Sequence, residues 1–213
     1  MARRTASPKT ATPVAAKPAV KRPSPKRDAL VAQAEDLFDR LGFHGTGVDR
    51  LVTDSGVARM TFYKHFPTKN SLVRAVLERR DARFWAHMET EAAQRTEAGE
   101  HAVLAAFDAL AAWLDGPGGN GDFLLKALGE FSEHDVTVAG DAAFRKLKAG
   151  PWMQARLDAV GVKESEARSW DLVLLMEGAT ALAPVVGGAA AASQARHAAA
   201  ALLRAWEVVD AMV

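Results

Sequence analysis

The stretch Gly47–Lys69, GVDRLVTDSGVARMTFYKHFPTK, decides how the rest of the chain is read. Val48, Leu51 and Val52 recur at i, i+3 and i+4, the apolar stripe of a short helix. Asp54-Ser55-Gly56 ends that helix, because Gly56 takes the left-handed backbone conformation at little cost. Val57 is an apolar plug behind the turn. A second helix follows, with Phe62 and Phe66 at i and i+4 facing inward. Its other face carries Arg59, Met60, Thr61, Tyr63, Lys64 and His65. Pro67 ends it, since proline has no N–H for the next helical hydrogen bond. Two short helices joined this way make a helix-turn-helix, whose second helix can lie in a DNA major groove.

The residue types on that outer face suit a duplex. Arginine pairs bidentately with guanine, and threonine touches a thymine methyl or a phosphate. Tyrosine, lysine and histidine reach phosphate oxygens, which fixes register without reading sequence. For an arbitrary helix-glycine-helix, a hairpin with a merely solvated polar face is the commoner outcome. Here the combination of residues is more specific.

The stretch resembles the DNA-binding domain of TetR family transcriptional regulators. That domain runs Gly-Phe/Tyr, a Thr, an apolar helix, Ala-Gly-Val, a short helix ending Tyr-x-His-Phe, then x-x-Lys and a Leu. This chain has Gly42-Phe43, Thr46, Val48 and Leu51, Gly56-Val57, the run Thr61 to Phe66, Lys69 and Leu72, over roughly residues 28–80. It departs from the pattern with Ser55 for Ala, Asn70 for Glu, and Ala58 for the Ser or Thr that caps the reading helix. Losing a cap side chain costs about 1 kcal/mol, so that helix start is expected to fray until DNA binds. Read with the resemblance, Arg59, Met60, Thr61 and Lys64 are candidates for base-edge contacts. Thr46, Tyr63, His65 and Lys69 are candidates for phosphate contacts, Thr46 also capping the first helix of the pair.

Charge supports the assignment. Residues 1–27 hold eight Lys/Arg and no acid, which leaves 19 basic against 26 acidic residues for 28–213. Residues 56–80 reverse that balance, with six basic residues against the single acid Glu78. An acidic body with a basic reading segment and a basic tail is the footprint of a DNA binder. The tail has prolines at 8, 13, 18, 23 and 25 and buries too little surface to offset its ordering entropy, so disorder is expected over 1–27. Such an arm either adds DNA contacts or only solubilises.

The remainder reads as helix throughout. Leu30, Ala34, Leu37, Phe38 and Leu41 define a first helix from Asp28, closed by Gly42. Thr68 is an N-cap for one long helix, or two in sequence, to about Gln94. Further helices are expected over 101–114, 122–131, 137–160 (kinked or split by Gly150-Pro151), 165–186 and 191–211. The fold class is all-α with about nine helices: an N-terminal three-helix helix-turn-helix DNA-binding domain over 28–80 and a larger helical ligand-binding and dimerisation domain over 81–213.

Trp170 to Val186 is apolar almost all round and needs cover, and Ala198, Ala199, Leu202, Leu203, Trp206 and Val209 give the last helix a broad apolar face. A two-fold homodimer through the helices near 166–186 and 191–211 satisfies both, as the resemblance also implies. It would set two reading helices on a near-palindromic operator in double-stranded DNA. The resemblance implies as well a small apolar or amphipathic effector in the body. Candidate contacts are Trp85, Met88, Phe107, Trp113, Phe123, Phe131, Trp152, Met153 and Met176, with Glu130, His134 and Glu177 as polar groups. Aromatics and methionines at helical spacing are more often plain core.

Other classes find little support. With 49% hydrophobic and 25% charged residues the chain is globular. Zero cysteines exclude disulfides, thiolate metal sites and a thiol nucleophile. No Gly-x-Ser-x-Gly, His-Glu-x-x-His or dinucleotide fingerprint appears, so no enzyme is expected. The six histidines are scattered, and the Glu130/His134 pair alone is no metal site, so neither metal nor cofactor is expected. No leader is expected from Met1 to Val20, and no membrane span, which suits a cytoplasmic protein. A ligand-relieved repressor is the leading reading. The alternatives are an activator of the same type, or a helical module that binds protein instead of DNA.

Overall fold

The structure, a computed structural model, describes residues 24–211, with side chains to residue 207. Most of the expected basic tail, and Val209, therefore fall outside what is described. Ten helices and no strand occur among the described residues. They are α1 (Pro25–Leu41), α2 (Val48–Ser55), α3 (Arg59–His65), α4 (Lys69–Glu97), α5 (Ala102–Leu114), α6 (Phe123–Phe131), α7 (Val136–Lys146), α8 (Ala149–Ala159), α9 (Ser165–Val186) and α10 (Gly188–Ala211).

α1 begins at Pro25, three residues before the expected start at Asp28. Pro25 occupies the first turn, where its missing N–H would have no helical partner anyway. α4 is a single helix of 29 residues, and its start is a reciprocal capping box. Thr68 Oγ1 accepts from Ser71 N at 3.1 Å, and Ser71 Oγ accepts from Thr68 N at 3.2 Å. The segment 137–160, expected to be kinked or split by Gly150-Pro151, is split into α7 and α8, with the break at Leu147-Lys148 just before that pair. That split makes ten helices of about nine.

Two apolar cores organise the molecule. The first joins α1 to the helix-turn-helix and the start of α4 through Leu30, Leu37, Phe38, Phe43, Leu51, Phe62, Leu72 and Val76. It also takes in Phe123, Ala127 and Phe131 from α6, and Val138, Ala139 and Ala142 from α7. The head is therefore not a free three-helix unit, because α6 and α7 of the body complete its core. The second core lies among α4, α5, α8, α9 and α10, around Met88, Phe107, Leu110, Met153, Leu172 and Leu203. Gly188 opens α10 hard against the end of α5, where an added Cβ would stand 2.4 Å from the Leu114 carbonyl oxygen.

α9 packs on α8 and α10 by one side only. Its other side leaves Trp170, Leu174, Leu182, Val185 and Val186 exposed, Leu174 by 68% and Val185 by 76%. By length and composition alone this helix could cross a membrane, with 33% of its most apolar window buried. The one chain thus does not supply the all-round cover expected for 170–186.

Candidate nucleic-acid interface and body cavity

Gly56 closes α2 in the left-handed conformation, φ 64° and ψ 12°, as the turn requires. α3 then emerges with Phe62 and Phe66 buried in the head core. That anchoring turns its other residues outward. Met60 is 84% exposed and Tyr63 42%, while Lys64 is exposed with no ion-pair partner among the described residues. The Arg59 guanidinium reaches Asp49 Oδ1 on α2 at 2.8 Å, with both side chains mostly in solvent. Thr61 and His65 are half-buried at the edge of the same face. Ala58 at the N-cap gives no side-chain cap, as its methyl dictates.

Two expected phosphate contacts are corrected. Thr46 is fully buried, and its hydroxyl donates to the Gly42 carbonyl at 2.8 Å. It cannot reach a phosphate, nor does it cap α2, whose N-cap is Gly47. Lys69 folds back over the turn between α1 and α2 and donates to the Phe43 carbonyl at 2.6 Å. Burial holds its ammonium below the usual lysine range, against the pull of Glu130. The charge reading of 56–80 narrows accordingly. Arg74 pairs with Asp141, and Arg79 and Arg80 turn to the buried Glu35 at 3.0 and 3.3 Å. Arg59 and Lys64 remain as its outward-facing cations.

Six expected effector candidates lie away from the cavity. Glu130, at the end of α6, grips the head: its carboxylate accepts from Phe43 N at 2.9 Å and His44 N at 2.6 Å. The His44 ring nitrogen Nε2 donates to the Glu130 carbonyl at 2.7 Å. His134 is exposed, 5.2 Å from the His44 ring. Both belong to the junction of head and body, as does Phe131, whose ring meets Phe43 edge-on at 5.7 Å. Met88, Phe107 and Met153 are wholly buried core.

The cavity itself lies between α4, α5, α6, α7 and α9. Trp85, Trp113, Phe123, Met176 and Glu177 line it, while Trp152 borders an adjoining groove. Charged groups that sequence reasoning missed complete the wall: Arg80, Asp81, Asp122, Arg145 and Lys146. Lys146 Nζ bridges Asp122 and Glu177 at 2.5 Å each. Arg145 and Lys148 both donate to Asp81 Oδ2, at 3.0 and 2.5 Å. Arg80 also donates to the Pro117 carbonyl, and its guanidinium stands 5.2 Å from the rings of Trp113 and Phe123. Burial works to lower the Lys146 ammonium, but the two carboxylates outweigh it and hold it above its usual value. Burial pushes Asp122 up, yet Lys146 and the α6 N–H of Leu125 keep it below its ordinary range. For Glu177 burial prevails over Lys146 and raises the carboxyl. No local signal could have found this cluster, since Lys146 meets partners 24 and 31 residues away.

These features define a helix-turn-helix head on a helical body with a charged aromatic cavity. Residues 30–76 match the family described as bacterial regulatory proteins, tetR family. Solved structures share the fold. A TetR-family transcriptional regulator from Streptomyces coelicolor superposes with TM-score 0.76 at 24% identity, covering 85% of this chain and 95% of that one. NemR of E. coli in its reduced form gives 0.68 at 21%, covering 82% and 95%. GusR of Salmonella enterica gives 0.62 at 18%, covering 87% and 98%.

Proposed function

We propose that the protein is a sequence-specific DNA-binding transcriptional repressor, acting as a homodimer and released from its operator by a small molecule. The observation that carries this is the outward face of α3. Arg59, Met60, Tyr63 and Lys64 face outward on a short helix that Phe62 and Phe66 anchor from behind, Arg59 paired at the surface with Asp49. Arg59, Met60, Thr61 and Lys64 lie toward base edges, and Tyr63 and His65 toward phosphates. Residues 28–80 serve as the DNA-binding unit and 81–213 as the effector and dimerisation unit.

The uncovered side of α9 supports the dimer. Trp170, Leu174, Leu182 and Val185 fall on one strip, and a second copy of α9 and α10 would bury it in a four-helix bundle. The effector reading rests on the cavity, and α6 links the two ends: Asp122 and Phe123 at its start line the cavity, and Glu130 at its end holds the head. A shift of α6 on ligand binding would loosen that grip. The protein then works where the DNA is, in the cytoplasm. Selection of bound duplexes from a random pool tests the reading. A two-fold symmetric winner is expected, and no enrichment at low ionic strength would overturn it.

A further inference from the structure

We propose that the body cavity takes a small aromatic compound carrying a positively charged nitrogen, with the charge set against Glu177 and Asp81 and the ring against Trp85 and Trp113. This rests on the effector reading above and adds the chemical class.

Buried polar atoms without a partner point to it. Burying an acceptor unpaired is costly, so native structures leave few. Here Asp81 Oδ1 and Glu177 Oε2 are buried and unpartnered, and both residues line the same cavity. Asp81 is 3% exposed, and its cationic neighbours Arg145 and Lys148 both bind the other oxygen, Oδ2. In the Lys146 cluster one ammonium serves two carboxylates. Burial holds the Glu177 carboxyl above its ordinary range. One donor, Arg145 Nε, is also unpartnered, and a polar ligand with a single acceptor would meet it.

The aromatic walls suit the same ligand. The guanidinium of Arg80 already lies over Trp113 and Phe123, so these faces attract cations. The groove beside the cavity shares Asp81, Trp85 and Arg145 with it, and adds Glu78, Glu89, Lys148 and Trp152. An anion would have to sit beside Asp122 and Glu177, with Arg145 and Lys148 already engaged by Asp81.

The test uses three probes of one size that differ in charge: benzamidine, benzoate and benzyl alcohol. Each is titrated calorimetrically into the full chain at neutral pH and low salt. The proposal expects benzamidine to bind at least tenfold more tightly than either of the others. It expects Glu177→Gln to abolish that preference. Equal binding of the three probes, a preference for benzoate, or no heat from any of them overturns it, and the wild-type series decides this without any variant. A gel shift on the selected operator runs in parallel. DNA binding without cation preference overturns the cavity assignment alone. Cation-selective binding by a chain that ignores DNA supports the cavity assignment and overturns the regulator reading.

Discussion

Lys64 and Lys69 stand five positions apart and do different work. Lys64 projects from α3 into solvent, whereas Lys69 lies over the turn after α1 with its ammonium on the Phe43 carbonyl. Changing Lys69 to Ala is therefore expected to lower stability, by about 1–2 kcal/mol for a half-buried charged hydrogen bond, while the salt dependence of DNA binding stays unchanged. Thermal unfolding and a titration at several salt concentrations check both halves. Glu177 carries a pH signature of its own. Its raised carboxyl binds a proton more tightly in the folded chain than in the unfolded one. The associated stability is fully present below the ordinary value of 4.5 and is lost as pH rises through the raised folded value. The melting temperature of wild type relative to Glu177→Gln is expected to fall between pH 4.5 and neutrality. A difference that stays flat across this range would contradict the assignment.

At the scale of elements, α3 depends on its anchors more than on its ends. Ala58 leaves the first turn without a side-chain acceptor, while its extended ψ of 142° already suits a capping residue. Ala58→Ser is expected to stabilise the protein by about 1 kcal/mol, visible as a rise of a few degrees in melting temperature. Much of this element was legible in the sequence. Gly56, the Phe62/Phe66 spacing and the Thr68 cap are local signals, and each has its expected place. The junction of head and body was not legible. Glu130 reads as a pocket carboxylate until its partners, 86 and 87 residues away, are seen to be backbone N–H groups of the α1–α2 turn. Phe131 likewise carries the same helical spacing whether it faces a cavity or the head core, and only packing decides. Thr46 misled for a related reason: a threonine before a helix caps it in many proteins, but here the hydroxyl bonds backward to Gly42.

At the scale of the whole molecule, the proposed function joins the uncovered strip of α9 to the outward face of α3. A single seven-residue helix offers few base contacts, and a two-fold partner doubles them at a fixed spacing. Leu174→Lys places a charge on the strip where Leu174 is exposed in the single chain. It is expected to shift sedimentation toward the 22.8 kDa monomer and to weaken operator binding together, with the helical content unchanged. A variant that remained dimeric would move the interface elsewhere. The claim on which the account rests is that α3 reads DNA, and the most direct measurement is an anisotropy titration of wild type and Arg59→Ala on the selected operator and on its single-base variants. The account predicts a loss of about 1–3 kcal/mol in binding for Arg59→Ala, with discrimination relaxed at one base pair of each half-site and the melting temperature unchanged. Equal affinity and equal discrimination in the two proteins would contradict it.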